Sequence, residues 1–299
     1  MTTALSSKVI SNERLRGDFN MLRLDAPAVA STCLPGQFVM LGAARPDWPY
    51  LKRPFSIYST DGECEIEIVY KVVGRATRIM RKIQEGESLD LIGPLGSGFA
   101  VKDGVTSVIA VAGGIGFPPV GFFCRRYVGI FERTTLIVGA ASKDELLIPV
   151  GLAVEGVEVV PCTEDGSRGI AGTACDGLGK VLEDLGLGQS GAQARDESGA
   201  QVRDESGAQP RGESGGSSRE ARRVQVVACG PNPMLNEVHR ICSERGITCE
   251  VSVEEIMACG VGACLACAVP QAGGGYLHAC KDGPVLDSSS IDWKRWLEA

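Results

Sequence analysis

The sequence predicts three successive parts: an antiparallel β-barrel, an α/β domain built on a parallel sheet, and a small C-terminal cysteine loop. Short apolar runs alternate with glycine turns over the first hundred residues, which is typical of antiparallel barrels. From residue 107 the apolar runs are continuous and alternate with helix-like segments, as in a buried parallel sheet. Four cysteines then crowd into residues 259–280. We therefore expect domain ranges of 1–101, 102–250 and 251–299.

The barrel prediction depends on six strand candidates separated by PG, DG and EG turns. They lie at residues 9–15, 19–26, 37–42, 54–60, 64–73 and 88–93. A helix candidate from Ala76 to Gln84 interrupts them, because Ile79 and Ile83 fall on one helical face. Many short strands with glycine turns indicate a closed antiparallel barrel.

The α/β prediction depends on four apolar runs of the buried, parallel type, at residues 107–113, 134–140, 157–163 and 222–230. A helix-like segment at 117–128 follows the first run. Residues 190–221 differ in kind, because they form four eight-residue repeats of small and charged residues that cannot bury a core. They predict a disordered insertion, 186–223, inside the α/β domain.

Composition excludes several function classes. A net charge of −7 argues against nucleic-acid and anionic-membrane partners, and two histidines are too few for a histidine-rich metal site. The N-terminus has no apolar stretch of signal-peptide length, and Pro118–Pro119 would break a membrane helix in the longest uncharged stretch. We expect a soluble cytoplasmic protein whose twelve cysteines are reduced.

The C-terminal cysteines have the spacing of an iron–sulfur site. Cys259, Cys264, Cys267 and Cys280 form the pattern C-x4-C-x2-C-x12-C, and plant-type 2Fe–2S clusters use C-x4-C-x2-C followed by a distant cysteine. Small residues between them let the backbone fold closely around inorganic sulfide and donate N–H groups to sulfur. The alternatives are a structural zinc site, which usually has paired C-x2-C knuckles, or two disulfides.

Two motifs in the predicted barrel could hold a flavin. Arg53-Pro54-Phe55-Ser56 offers a guanidinium for a phosphate and a hydroxyl for a ring edge. Gly74-Arg75-Ala76-Thr77 opens the predicted helix, where amide groups and the Thr77 hydroxyl could bind a pyrophosphate. Taken alone, the first motif is equally a strand with an edge proline, and the second an ordinary helix start.

Two strand-to-helix turns in the α/β part could hold a nicotinamide nucleotide. Gly113, Gly114 and Gly116 follow the first parallel strand, and Cys229-Gly230 follows the last. Open α/β sheets bind ligands at the carboxyl ends of their strands, and a helix start there is electropositive. The turn lacks the G-x-G-x-x-G fingerprint. Cys229 could equally be a buried small hydrophobe.

In this order the motifs resemble the ferredoxin–NADP reductase superfamily, and more closely the electron-transfer subunits of NAD-dependent dihydroorotate dehydrogenases. Besides the motifs above, PGQFVML (35–41), TEDGSRGIAG (163–172), MACGVGACLACAV (257–269) and CKDGPV (280–285) carry the closer resemblance. It covers the chain outside 186–223.

The resemblance implies an FAD-binding barrel, an NAD-binding α/β domain and a 2Fe–2S region. It implies that FAD lies against Arg53 to Ser56, Val69, Tyr70, Lys71, Gly74, Ala76 and Thr77, and that Gly113, Gly114, Gly116, Cys229 and Gly230 border NAD. The implied partner is a catalytic FMN-containing dihydroorotate dehydrogenase subunit, in a heterotetramer with two copies of each chain. Electrons would pass from that partner through 2Fe–2S and FAD to NAD, in de novo pyrimidine (UMP) biosynthesis, without a protein general base.

Two departures and three alternatives accompany this reading. The family usually has G-x-G-T where Ala76 stands, so the methyl group bears on FAD affinity, and the repeat insertion has no family counterpart. Arg168 could lie near an adenosine 2′-phosphate, so the sequence does not decide between NAD and NADP as the nucleotide. The chain could instead be a subunit of a related reductase, one that passes electrons between a nicotinamide and ferredoxin or one that acts on sulfide or polysulfide. From a different class, it could be a non-enzymatic zinc-binding assembly protein.

Overall fold

The computed structural model describes residues 2–43, 45–147, 156–188 and 223–298. The predicted repeat insertion at 190–221 lies outside these residues. So does most of the wider range 186–223, but Leu187 is described and buried, and its carbonyl oxygen accepts a hydrogen bond from Arg245 Nε at 3.0 Å. Within the described ranges, no helix is both long enough and apolar enough to cross a membrane.

The first lobe is a seven-stranded antiparallel sheet in the order β4-β3-β7-β1-β2-β6-β5. Alternate residues of these strands face a core of aliphatic side chains, which gives the period of two seen in Glu65–Lys71. The strands are β1 Thr3–Arg16, β2 Phe19–Asp25, β3 Phe38–Gly42, β4 Arg53–Ser56, β5 Ser59–Thr60, β6 Glu65–Lys71 and β7 Ser88–Leu95.

The sheet curves into a half-barrel whose two edges belong to one stretch of chain. Strands β4 and β5 lie at opposite edges, yet only Ile57 and Tyr58 separate them. Ile57 N donates to Gln37 O at 3.1 Å beside β3, and Tyr58 N donates to Glu67 O at 2.8 Å in β6. The predicted closure of the barrel is therefore made by residues 53–60, which pair first with β3 and then with β6.

Two short helices belong to this lobe, α1 Pro27–Ala30 and α2 Arg75–Met80. The sequence predicted α2 from 76 to 84, but the helix ends earlier. The Asn12 side-chain amide donates hydrogen bonds to the carbonyl oxygens of Met80 and Ile83, at 2.8 and 3.0 Å. Because those carbonyls are satisfied by β1, the chain leaves the helix and turns toward β7.

The second lobe is a sheet in the order β11-β10-β9-β8-β12-β13-β16, parallel except at β16. Its strands are β8 Ser107–Gly113, β9 Arg133–Ala140, β10 Val157–Thr163, β11 Ile170–Ala171, β12 Val224–Cys229, β13 Thr248–Ser252 and β16 Val285–Asp287. Every residue of β12 is buried, because helices cover both faces of a parallel sheet. Helices α3 Phe117–Arg126, α4 Ala174–Asp184 and α5 Asn232–Arg245 supply that cover.

The C-terminal region carries the cysteine loop and shares the second sheet. It contains the hairpin β14 Ala268–Pro270 and β15 Tyr276–His278, strand β16 and helix α6 Trp293–Leu297. Strand β16 pairs antiparallel with β13, Val251 opposite Leu286, and so covers the edge of the parallel sheet. A boundary at residue 251 falls inside β13, and the three-part division of the chain stays a prediction.

Candidate cofactor-binding site

A cavity of about 480 Å³ lies between the half-barrel and the carboxyl ends of the parallel strands. Strands β4 and β6 and the start of α2 form its first wall. The second wall is Cys229, at the end of β12, and residues 252–255, at the end of β13. Met257 and Pro284, from the cysteine-rich region, complete it. All three parts of the chain therefore contribute to one cavity.

All ten residues predicted for the flavin site line this cavity. They come from two strands and one helix start that are distant in sequence: Arg53, Pro54, Phe55, Ser56, Val69, Tyr70, Lys71, Gly74, Ala76 and Thr77. The nicotinamide candidate Cys229 lines it as well. That these residues bind FAD stays a prediction.

Several of these polar groups have protein partners. Arg53 Nη1 donates to the carbonyl oxygen of Leu51 at 2.8 Å, and Tyr70 Oη donates to Asn12 Oδ1 at 2.9 Å. Thr77 Oγ1 accepts the N–H groups of Val73 and Gly74 at 3.0 and 3.1 Å. The Thr77 hydroxyl thus caps the start of α2, and its contact with a phosphate stays a prediction.

The donor groups of the cavity fit an anionic, partly aromatic ligand. Arg53, Lys71 and Arg75 bring three positive charges to the cavity wall. The first-turn N–H groups of α2 have no intrahelical acceptor. Phe55 and Tyr70 offer aromatic surface, with ring centroids 6.2 Å apart in an edge-to-face arrangement. A pyrophosphate joined to a flat ring system matches this combination of charge and apolar surface.

Sequence reasoning missed the wall that follows β13. Ser252 and Glu254 line the cavity at the carboxyl end of that strand, and Met257 and Pro284 line it from the cysteine-rich region. A signal was present, because carboxyl ends of parallel strands form ligand sites and residues 253–255 directly follow the last parallel strand. The pairing of β13 with β12, which brings this segment to the cavity, is tertiary information.

Burial decides the ionisation of the two titratable groups on this wall. It raises the pKa of the Cys229 thiol, with the nearby negative charge of Glu254 as a smaller cause. Burial also raises the pKa of the Glu254 carboxyl. Glu254 lines the cavity and keeps a large part of its surface exposed. Cys229 is therefore a neutral thiol, and the pKa of the Glu254 carboxyl lies above its ordinary value.

A second cavity, of about 270 Å³, lies along the carboxyl edge of β8 and β9. Gly113 and Gly114 line it, as expected for a nucleotide site, and Gly114 has a positive φ of +55° with open space beside it. Lys71 lines both cavities and pairs with Glu145 of the second lobe at 3.5 Å. The two cavities thus meet at a lysine of β6.

Gly116 and Gly230, also predicted to border NAD, line neither cavity and instead allow close packing. A Cβ atom on Gly116 would lie 2.2 Å from the carbonyl oxygen of Cys229, and one on Gly230 would lie 2.6 Å from Met234 Cε. Because these glycines have no side chain, the two strand-to-helix turns can lie in direct contact. Arg168 does not line the second cavity, although Glu164 does.

The cysteine loop directs backbone N–H groups at its own sulfur atoms. Cys259 Sγ accepts from the N–H groups of Val261, Ala263 and Cys264 at 3.3–3.4 Å, and Cys280 Sγ accepts from Gly262 N at 3.1 Å. Hydrogen bonds to a thiolate favour its charged form. The N–H of Val261 is the largest cause that lowers the pKa of Cys259 to about 6.

The four predicted ligands form two pairs. Cys264 contacts Cys259, and Cys267 contacts Cys280, whose pKa is raised to about 12 by burial and by Cys267. In the described part of the chain, no three His, Cys, Asp or Glu side chains converge on one ion position. A 2Fe–2S cluster takes two thiolates on each iron, whereas zinc needs four ligands around one point. The paired arrangement fits a 2Fe–2S cluster better than zinc.

No disulfide is present among the cysteines of the described ranges. All twelve lie in the described ranges, and all are free thiols. Eight are scattered through the two lobes, and seven of those eight are buried. They behave as small apolar side chains of the core.

The cysteine loop packs against the half-barrel on one side and is exposed on the other. Gly260 lies so close to β3 that a Cβ atom there would be 2.5 Å from Met40 Cγ. Cys267 and Cys280 are buried, whereas Cys264 is exposed beside exposed Val261 and Leu265. The four cysteines therefore lie between the half-barrel and the surface.

Two stretches of the chain match known families. Residues 6–99 match the oxidoreductase FAD-binding domain. Residues 254–292 match the iron–sulfur cluster binding domain of dihydroorotate dehydrogenase B. The first stretch contains the predicted flavin residues, and the second contains all four cysteines together with Glu254.

Curated relatives match along nearly the whole chain, and each is named dihydroorotate dehydrogenase B (NAD(+)), electron transfer subunit. The protein from Geobacillus thermodenitrificans is 30% identical over 290 residues, covering 95% of this chain and 96% of its own length. The protein from Desulforamulus reducens is 28% identical over 298 residues, covering 98% and 100%.

Solved structures share the fold. An NADH-dependent reduced ferredoxin–NADP oxidoreductase has a TM-score of 0.75 at 23% identity and covers 98% of this chain and 91% of its own. A ferredoxin–NADP+ reductase from Neisseria gonorrhoeae has a TM-score of 0.59 at 16% identity, covering 81% and 92%. The two-lobed arrangement is the ferredoxin–NADP reductase fold, as the sequence predicted. On the identity and coverage of its relatives, the chain belongs to the family of dihydroorotate dehydrogenase B (NAD(+)) electron transfer subunits.

Proposed function

We propose that this chain is the redox subunit that carries electrons from a catalytic dihydroorotate dehydrogenase subunit to NAD, in pyrimidine biosynthesis. One observation carries the proposal: the segment that holds the paired cysteines also forms a wall of the flavin-sized cavity, through Met257 and Pro284. When bound, the cluster exchanges single electrons and FAD exchanges electron pairs with nicotinamide, which is the chemistry the cofactors supply.

The residues of the chain bind and orient these groups. Arg53, Lys71 and Arg75 offset the charge of a pyrophosphate, and Phe55 and Tyr70 offer apolar surface that excludes water from a ring. The N–H groups directed at Cys259 and Cys280 stabilise their thiolates. Gly113 and Gly114 admit a dinucleotide to the carboxyl edge of the parallel sheet.

The exposed face of the cysteine loop is where we propose that the catalytic subunit docks. Val261, Leu265 and Ile256 are 51%, 58% and 83% exposed, and they make the segment that carries the exposed Cys264 an apolar surface patch. Burying such a patch favours association, and it would bring the partner's flavin near the cluster ligands. The proposal includes an FMN-containing partner, two copies of each subunit, and a location in the cytoplasm, where free thiols stay reduced.

An absorbance spectrum of the anaerobically purified protein, before and after NADH, tests the cofactor assignment. Flavin bands with additional broad iron–sulfur absorption, both bleached by NADH, are expected. A flavin spectrum without the broad component would remove the cluster from the proposal. Folded protein that stays colourless and takes up no added FAD would overturn it.

Reconstitution tests the partner. The purified chain, mixed with a catalytic dihydroorotate dehydrogenase subunit, should form NADH when dihydroorotate and NAD are added. The mass of the complex, measured by light scattering, should equal two copies of each subunit. Electron delivery to ferredoxin or polysulfide, without any dihydroorotate-dependent NADH formation, would favour the related reductases instead.

A further inference from the structure

The smaller cavity, along the carboxyl edge of β8 and β9, has an excess of negative charge. Its wall contains one positive and two negative side chains, Lys71, Glu145 and Glu164. Lys71 pairs with Glu145 at 3.5 Å, so these two charges offset each other. The charge of Glu164 is not offset in this way, and among the described residues no arginine lines the cavity.

The turn that follows β10 holds Glu164 at this wall. Its backbone N–H donates to a backbone carbonyl oxygen at the end of β9, at 3.1 Å. The Thr163 hydroxyl donates to Arg168 O and accepts from Arg168 N, both at 2.9 Å, which closes the turn. Asp165 Oδ1 accepts from the N–H and hydroxyl groups of Ser167 at 2.9 and 2.6 Å. This turn places Glu164 in the cavity wall and leaves Arg168 outside it.

The order of the parallel strands indicates which end of a dinucleotide lies beside Glu164. The strands run β10-β9-β8-β12-β13, and the ends of β12 and β13 form a wall of the flavin-sized cavity. A nicotinamide ring must reach the flavin to exchange a hydride, so it belongs on the β12 side. Glu164 follows β10, which lies three strand spacings from β12, or about 14 Å. We therefore expect the adenosine end of the dinucleotide beside Glu164.

The adenosine ribose is where NAD and NADP differ. NAD has a 2′-hydroxyl group, which can donate a hydrogen bond to a carboxylate. NADP has a 2′-phosphate, which carries a charge of about −1.5 to −2 at pH 7 and is repelled by a carboxylate. The rest of the two nucleotides is identical, so the glycine turn after β8 cannot distinguish between them.

We propose that Glu164 is the residue that selects NAD over NADP, an inference that rests on the proposed function. Its carboxylate accepts a hydrogen bond from the 2′-hydroxyl group of NAD and repels the 2′-phosphate of NADP. Specificity of this kind combines an attractive contact with the correct ligand and a repulsive one with its competitor. Arg168, outside the cavity wall, does not offset the repulsion by binding the phosphate.

Glu164→Gln tests the proposal in the full-length, FAD- and cluster-loaded protein. Reduction of the flavin by NADH and by NADPH is followed by stopped-flow absorbance, and the ratio of the two second-order rate constants is determined. The wild-type ratio should favour NADH at least about 100-fold, because like charges brought together strongly disfavour binding. Glu164→Gln keeps the size of the side chain and removes its charge, so the ratio should fall at least about tenfold. Glu164→Arg should reverse the preference, because a guanidinium group accommodates a 2′-phosphate.

Glu183→Gln is the matched control, because Glu183 is an exposed glutamate of α4 that does not line the cavity. It removes the same charge from the same lobe and should leave the ratio unchanged. An unchanged ratio in Glu164→Gln, or an equal loss of both rates, would overturn the proposal. An equal loss would assign Glu164 a purely structural role.

A binding measurement separates recognition of the ribose from hydride transfer. ADP-ribose and 2′-phospho-ADP-ribose contain the adenosine half of each nucleotide, and calorimetry gives their dissociation constants. The wild-type protein should bind ADP-ribose more tightly, and the difference should shrink in Glu164→Gln. It should also shrink at high salt, because salt screens the repulsion between exposed charges. Equal affinities in the wild-type protein, or a difference that salt does not alter, would overturn the proposal.

The proposed function and the role of Glu164 fail in different ways. Wild-type protein whose flavin is reduced by neither nucleotide would contradict the proposed function, and the binding of ADP-ribose would still test Glu164. Wild-type protein whose flavin is reduced equally well by NADH and NADPH would contradict the role of Glu164 alone.

Discussion

At the residue scale, the four cysteines of the loop differ most in their exposure. Cys264 is exposed, whereas Cys267 and Cys280 are buried in a core that also contains Met40 of β3. Cys264 can therefore be changed without disturbing a packed core. Its replacement separates the role of the cluster from that of the flavin.

We expect Cys264→Ser to abolish electron transfer from the partner while keeping NADH-to-dye activity. A hydroxyl group is a poor substitute for a thiolate on iron, and even changes behind the ligands cost 10–100-fold. Dihydroorotate-dependent NADH formation should fall at least about 100-fold. Both activities are read from absorbance changes.

Cys64→Ser is the control for this prediction. Cys64 is also an exposed free thiol, but it lies in the turn before β6 and outside the cavity and the cysteine loop. It should change neither activity. Loss of both activities in a folded, FAD-loaded Cys264→Ser protein would contradict the assignment of partner-driven electron transfer to the cluster and of NADH-to-dye activity to FAD.

Ala76 departs from the family pattern in sequence, but its backbone conformation is ordinary. It lies in the first turn of α2 and is absent from the residues with positive φ, so no glycine is required there. Ala76→Gly should lower the free energy of unfolding by about 0.5–1 kcal/mol, measured by urea titration. FAD affinity should stay within a few-fold. A tenfold tighter FAD dissociation constant would show that the methyl group obstructs the ligand.

At the element scale, the turns after β8 and β12 act as one unit. They touch through backbone atoms at Gly116, Cys229 and Gly230. Close backbone contact leaves no flexible side chain to move aside. A single methyl group at this contact should therefore displace a whole turn.

We expect Gly116→Ala to destabilise the protein by about 1–3 kcal/mol, the usual cost of overpacking. Gly179→Ala, in α4, is the control, because no atom lies within 4 Å of its added methyl group. It should raise stability by up to about 1 kcal/mol through helix propensity. Urea titration measures both, and equal effects would contradict the packing argument.

At the scale of the whole molecule, the two lobes are joined by an arginine that stacks on a tyrosine. Arg125 of α3 lies 4.6 Å from the ring centroid of the fully buried Tyr58, and its guanidinium also donates to the Tyr58 hydroxyl. Tyr58 is also one of the two residues at which the half-barrel strand changes neighbours. Lobe docking and barrel closure therefore depend on the same residue.

Arg125→Met should lower the free energy of unfolding by about 1–2 kcal/mol, because it removes a partly buried cation–π contact and a hydrogen bond. Arg133→Met is the control, since Arg133 pairs only with the half-exposed Glu158 and surface pairs contribute about 0–1 kcal/mol. Urea titration compares the two. Equal losses would mean that the Arg125 contact does not join the lobes.

Much of this architecture was predictable from local patterns. The alternation of short strands, the continuous run that became β8, and the spacing of Cys259 to Cys280 all depend on near neighbours in sequence. The strand that changes neighbours at Ile57 and the early end of α2 were not predictable, because each is decided by a partner elsewhere. For α2 that partner is Asn12.

The sequence by itself determined the order of the lobes, the residues of β4, β6 and α2 that line the larger cavity, and the spacing of the four cysteines, because periodicity, turn chemistry and ligand spacing are local properties. Only the tertiary structure decided that β13 brings Glu254 beside Cys229, that Gly116 and Gly230 pack rather than line a cavity, and that Thr77 caps a helix. Those outcomes depend on strand pairing across long sequence separations. The burial that raises the pKa of Glu254 arises only when the lobes and the cysteine-rich region enclose one cavity.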